Sequence, residues 1–225
     1  MTVWKAKVYR VPAGPVTDAD ETALQVERLQ TVCVTLVRQW GQSLESADRY
    51  TFGHCERVAA YAETVATELG FDEAQRTTVR VGAYLHDLGK VRLPRHVLNK
   101  PGPLTPREFD LVQRHPVWGE EILATVDLPW DIRPMIRWHH EKYDGSGYPD
   151  RLRGEEIPTS AQIIGIVDVY DALTSSRAYH PALPRAHALA EIRACRPWWR
   201  PDVYDAFVRA VGSAVAGDRS AAPAA

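Results

Sequence analysis

From Leu29 onward the apolar positions Leu29, Cys33, Leu36, Val37, Trp40 and Leu44 return every three or four residues. That spacing lays one apolar stripe along a helix, because 3.6 residues complete a turn. Thr17 ahead of Asp18, Asp20 and Glu21 supplies a capping hydroxyl and then acids in the first turn, so the helix is predicted to start there. The opening VWKAKVYRVPAGPV alternates only in part and closes on Pro and Gly, which suits one weak strand or an ordered arm. Helical patterning continues over Ala47 to Leu69, stopped by Gly70. Asp72 with Gln75 then reads as a capping box opening a helix to about Leu88.

GKVRLPRHVLNKPGPL breaks that period with Gly89, Pro94, Pro101, Gly102 and Pro103. Thr105, Pro106 and Glu108 restart it with a capping box and a proline in the first turn. Pro116 ends that helix or begins another, leaving His115 at the junction. Further helices are predicted over Arg133 to His140, Ser160 to Ser176, Pro184 to Cys195 and Pro201 to Val215. No strand series and no repeat is visible. The expected fold is all-α: a helical bundle with a short N-terminal helical extension. The apolar stripe of that extension packs on the bundle or mediates self-association, and packing is the commoner use of such a stripe.

Composition narrows the partners. A formal charge of −2 argues against a binder of nucleic-acid polymers, which carries a basic surplus. A local basic cluster would still serve a small anion. Cys33, Cys55 and Cys195 are odd in number and unpaired by spacing, which fits a reducing cytoplasm. No apolar run approaches the about 18 residues of a membrane span, and no secretory signal opens the chain.

The chemistry concentrates in a few places. YLHDLGK carries His86, Asp87 and Lys90 at the end of a predicted helix, with His86 and Lys90 on one face and Asp87 about 100° round. His54 comes from the preceding helix, His115 from the proline junction, and His139 with His140 from HHEKYDGSGYP. Asp168 sits in AQIIGIVDVYDALTS, apolar nearly all round, where a carboxylate is costly to bury without a cation or hydrogen bonds. Taken singly, each histidine reads as a structural or surface residue. Together they suit a nitrogen–oxygen site for iron, manganese or zinc. One aspartate able to bridge, plus six other ligands, is enough for two ions about 3.5–4 Å apart. In DGSGYP the glycines let backbone approach a ligand, Tyr148 offers a face for stacking, and Glu141 is expected to support the ligands rather than bind metal.

In this order the motifs resemble the HD-GYP family, a branch of the HD-domain metal-dependent phosphohydrolases associated with cyclic di-GMP breakdown. The likeness runs from about Asp48 to about Val211, through YTFGHCERVAAYA, YLHDLGKVRLP, LNKPGPLT, HPVWGEEIL, HHEKYDGSGYPDRLRGEEIP and IVDVYDALTSSRAY. The resemblance implies one ion on His54, His86, Asp87 and Asp168, and another on Asp87, His115, His139 and His140. It implies catalytic roles for Asp87 and Lys90, and sets Lys90, Tyr148 and Arg177 against the substrate. Residues 1–44 would be an arm and helix, 45–215 the catalytic domain and 216–225 a disordered tail.

The implied reaction is hydrolysis of cyclic di-GMP to linear pGpG, with onward cleavage to GMP left open, by a hydroxide shared between two divalent transition metal ions. Iron or manganese comes first, with zinc, cobalt or nickel admissible. Tyr50 stands where some relatives carry a glutamate for a third ion, so two ions are predicted. His180 replaces a Lys or Arg common in relatives, which would weaken phosphate binding or make it pH-sensitive. The alternatives are an HD phosphohydrolase for another nucleotide, or a module that binds the dinucleotide or a signalling partner with little turnover. A homodimer is left open, and the expected compartment is the cytoplasm.

Overall fold

Local hydrogen bonds set most of the helix boundaries. In the computed structural model, which describes residues 18–45, 53–176 and 181–218, every regular element is helical. In chain order these are α1 (Asp18–Glu45), α2 (His54–Glu68), α3 (Glu73–Leu85), α4 (Arg95–Leu98), α5 (Pro106–Val112), α6 (His115–Leu123), α7 (Arg133–Trp138), α8 (Thr159–Thr174), α9 (Arg185–Ala194) and α10 (Pro201–Asp218). Tight 3-10 turns lie at Leu88–Arg92, Gly154–Glu156 and Arg196–Trp198. The all-α fold expected from patterning is the one that forms. The N-terminal arm with Thr17, the residues before His54 including Tyr50, the Arg177 to His180 stretch and residues 219–225 lie outside the described residues.

Both predicted capping boxes close. Gln75 N donates to Asp72 Oδ1 at 2.8 Å while Asp72 N donates back to Gln75 Oε1 at 2.9 Å. Thr105 and Glu108 do the same ahead of α5. Gly70, at φ 78°, follows the Leu69 cap of α2 in the left-handed region that ends helices. The entry to α2 uses a device that spacing does not reveal. The buried Glu45 carboxylate accepts N–H bonds from Gly53, at 2.9 Å, and from Cys55. A side chain from the previous helix thus satisfies donors that the first turn leaves open.

Two predicted ends are corrected. The helix expected to reach Leu88 stops at Leu85, and His86 caps it. Asp87, at φ −94° and ψ 9°, opens a 3-10 turn instead of lying 100° round a helix. The cause is packing: a Cβ at Gly89 would fall 1.9 Å from His115 O, so the chain here presses directly on α6. The helix expected through His140 likewise ends at Trp138, with His139 as its cap.

By its contacts the chain divides into Met1–Leu36 and Val37–Ala225. Within the first unit, Leu29 and Leu36 of the predicted stripe are 64% and 63% exposed. Within the second, Val37 is buried and Trp40 and Leu44 are half-buried. The core of the second unit centres on α8, whose Ile163, Ile164, Ile166, Val167 and Tyr170 are all buried. Val58, Ala62 and Val65 of α2 and Val203 and Phe207 of α10 are buried with them, on helices that pack against α8. Each large aliphatic or aromatic side chain so covered contributes about 1.5–3 kcal/mol.

Candidate metal centre

Helix ends supply most of the candidate ligands. His54 is the first residue of α2, His86 and Asp87 follow α3, His115 is the first residue of α6, and His139 and His140 follow α7; Asp168 alone comes from mid-helix, on α8. A residue at a helix end projects past the last turn, so four helices can aim into one pocket without their backbones colliding. His54, His86, His115 and His139 are buried, while the Asp87 and Asp168 carboxylates keep 17% and 16% exposure.

The structure brings these residues together as two groups that share Asp87. One is Asp87, His115, His139 and His140; the other is His54, His86 and Asp87, and within each group the donor atoms lie within 4.8 Å of one another. Asp87 Oδ1 is 3.2 Å from His115 Nε2, and its Oδ2 is 3.4 Å from His86 Nε2. Asp168 stands beside the second group, its Oδ1 3.4 Å from His54 Nε2.

Hydrogen bonds at Nδ1 decide what the pocket can hold. His86 Nδ1 donates to Ala83 O at 2.8 Å, His115 Nδ1 to Val112 O at 2.8 Å, and His139 Nδ1 to Ile136 O at 2.9 Å. Carbonyl oxygens only accept, so these rings carry a proton on Nδ1 and turn Nε2 toward the pocket. His54 does the same through Asp171, with Nδ1 to Oδ2 at 2.7 Å. The Nε2 atoms then face one another, at 3.4 Å for His54 and His86 and 3.3 Å for His115 and His139. Lone pairs that close repel unless a proton or a cation sits between them. The donor set therefore fits divalent transition metal ions.

Titration follows the same logic. Burial pushes the His139 imidazole down to about 3, helped by the neighbouring His86 and His115, and holds His140 well below its usual value. Both are neutral and free to donate. Burial works against a charged His86 too, yet the Asp87 carboxylate outweighs it and lifts His86 to about 9. Burial pushes Asp87 up, but the Lys90 ammonium, His86 and His115 together keep it well below the carboxylate range. The pocket draws in positive charge.

Lys90 Nζ donates to Asp87 Oδ2 at 2.6 Å, so the ammonium lies on the rim of the pocket. Tyr148 stacks one ring face on His140, with centroids 4.7 Å apart and planes 28° off parallel. Arg177 lies outside the described residues. Glu141 is fully buried and takes a different part from the support of ligands expected for it. Its carboxylate accepts the backbone N–H groups of Asp150, Arg151 and Leu152 at 2.6, 2.9 and 3.1 Å, tying down the turn that carries Tyr148. Gly147 is also explained without a ligand: a Cβ there would lie 2.4 Å from Lys142 N and 2.5 Å from Glu141 Cα.

Sequence reasoning missed Asp171, Arg57 and Glu45. Asp171 is 1% exposed and is gripped by Arg57, with Nε 2.6 Å from Oδ1 and Nη2 3.1 Å from Oδ2. The signal available was a second carboxylate one turn beyond Asp168 in the same apolar segment. Nothing in the spacing of Glu45 or Arg57 announced a role.

Comparison with known proteins identifies the family. A family model described as HD domain matches residues 39–202. Over 171 residues, 75% of this chain, the sequence is 40% identical to a cyclic di-GMP phosphodiesterase response regulator of Xanthomonas campestris pv. campestris. Over 155 residues, 69% of the chain, it is 39% identical to a 3'3'-cGAMP-specific phosphodiesterase of Vibrio cholerae. The chain spans only 45% and 34% of the length of those two relatives. Among solved structures, an HDG"Y"P protein from Bdellovibrio bacteriovorus superposes with a TM-score of 0.63 over 84% of this chain and 64% of its own; at 17% identity, that likeness is one of fold.

Proposed function

The chain belongs to the HD-domain family, in its HD-GYP branch, and from that premise we propose that it is a metal-dependent phosphodiesterase that opens cyclic di-GMP to linear pGpG. The observation that carries the reading is Asp87, whose two oxygens address the two imidazole groups separately. His54, His86, Asp87 and Asp168 would hold one divalent ion and Asp87, His115, His139 and His140 the other, with iron or manganese favoured by the imidazole–carboxylate set. Ions so held supply Lewis acidity and bring a water's pKa to about 7.

The chain's own residues supply the rest. Asp87 fixes the spacing of the two groups. Lys90 places an ammonium where charge grows on the phosphoryl oxygens, the position at which preorganised electrostatics act most strongly. Buried walls around His54, His86 and His139 keep bulk water from screening that charge. Glu141 holds the turn bearing Tyr148, which with Arg177 would meet the guanine and phosphate groups. A cytoplasmic site of action belongs to the same proposal; no described helix is long and apolar enough to cross a membrane.

A second reading is favoured by one observation: the Vibrio cholerae relative is named for 3'3'-cGAMP, at 39% identity against 40% for the cyclic di-GMP relative. One experiment tests both. The protein is purified under low oxygen without added metal, its metal content measured, and each cyclic dinucleotide incubated separately and together before chromatography. Linear pGpG formed in preference to cleaved 3'3'-cGAMP supports the first reading, and the reverse preference supports the second. A folded preparation that retains no divalent ion and opens neither dinucleotide overturns both.

A further inference from the structure

The two halves of the pocket are unequal in what stands behind their histidines. On the His115 and His139 side, each Nδ1 donates to a backbone carbonyl three residues earlier in its own chain segment. His86 does likewise. His54 alone among these four donates to a carboxylate, Asp171, from a helix far away in sequence. That carboxylate is itself fastened on three sides: Arg57 bonds to both oxygens, and Ser175 Oγ lies 3.3 Å from Oδ1. An anionic acceptor on Nδ1–H pushes electron density to Nε2 more strongly than a neutral carbonyl does, and it locks the ring's rotation. Asp168, 3.4 Å from His54 Nε2, adds a second carboxylate to the same side.

We propose that Asp171 is a positioning residue that makes the His54, His86 and Asp87 half of the pocket hold its divalent cation more tightly than the His115, His139 and His140 half. The inference rests on the reading of the pocket as a metal centre and adds an order of filling to it. Arg57 keeps the carboxylate ionised and squared to the imidazole, so the unit runs from the solvent-facing guanidinium through Asp171 to His54. A carboxylate acceptor of this kind typically changes metal affinity by about 10–100-fold.

The test is a chelator titration of the full chain loaded with cobalt(II), following metal content and the visible spectrum together. The wild-type protein is expected to lose its ions in two phases. In Asp171→Asn, nearly equal in shape but neutral, the later phase moves about 10–100-fold toward lower chelator while the earlier one stays in place. Two ions in the wild type with both phases unmoved in Asp171→Asn, or both moved equally, would overturn the ordering and leave the metal reading standing. No ion retained by the wild type would sink both. Where Asp171→Asn fails to fold, zinc-loaded wild-type protein with labelled histidine answers instead. One Nδ1 proton, assigned to His54, should resonate well downfield of the others and exchange slowest; four equivalent Nδ1 protons would refute the proposal.

Discussion

The imidazoles of His54, His86, His115 and His139 are each constrained twice, at Nδ1 by an acceptor and at Nε2 by a crowded neighbour, so single substitutions should have effects out of proportion to their size. Asp87 is the extreme case, since it belongs to both groups. Asp87→Ala is expected to lower the bound metal toward zero and to slow phosphodiester hydrolysis by about 10³-fold, roughly 4 kcal/mol in the barrier. Metal analysis beside a chromatographic assay checks it, and a variant that keeps both ions and full rate contradicts the assignment. A residue remote from the pocket gives a cleaner test of the electrostatics. Glu108, hydrogen-bonded to the Lys100 ammonium and to Thr105, is held down at about 2 from its usual 4.5. Because the folded-state value is depressed, the stabilisation is fully present above the unfolded value near 4.5 and drains away as pH falls through about 2. A carbon-detected carboxyl titration should place Glu108 near 2, and Lys100→Ala should raise it; a midpoint close to 4.5 in the native protein would show that the pair does not form in solution.

The elements matter through their ends. Cut short at Leu85, α3 leaves Asp87 in a tight turn, free to offer one oxygen to each imidazole group. Begun at His54, α2 depends on the Glu45 carboxylate for its first N–H groups. Glu45→Ala should therefore cost about 1–2 kcal/mol in urea unfolding, the range of a lost N-cap, and should weaken metal retention with it. The turn after α7 is tied down by Glu141, so Glu141→Ala strips an acceptor from three backbone donors. Part-buried donors that lose a shared acceptor cost about 1–3 kcal/mol, enough to raise KM by about tenfold while the metal content stays unchanged. Loss of metal with unchanged KM would return Glu141 to the supporting part first expected of it.

Across the second unit, stability and the candidate chemistry share one core, because α2, α3 and α7, which carry or end on ligands, also pack against α8. A cation bound only by the folded chain adds about 2.7 kcal/mol at a hundred times its Kd. Chelation should then lower Tm by about 5–10 °C for a domain of this size, and resupply of manganese or iron should restore it; an unchanged Tm would mean that no ion is linked to folding. The amino-acid sequence by itself determined most of the helices, though not α4, and which side chains are candidate ligands. Helical period, capping boxes such as Asp72 with Gln75, and the types of His86, Asp87, His139 and His140 are properties of short stretches. Only the tertiary structure decided that Asp87 turns out of its helix, that Glu141 holds a loop, and that Asp171, 117 residues beyond His54, stands behind it. Those outcomes depend on the distances between segments remote in the chain, and a contact made across the core leaves no periodic mark along the sequence that makes it.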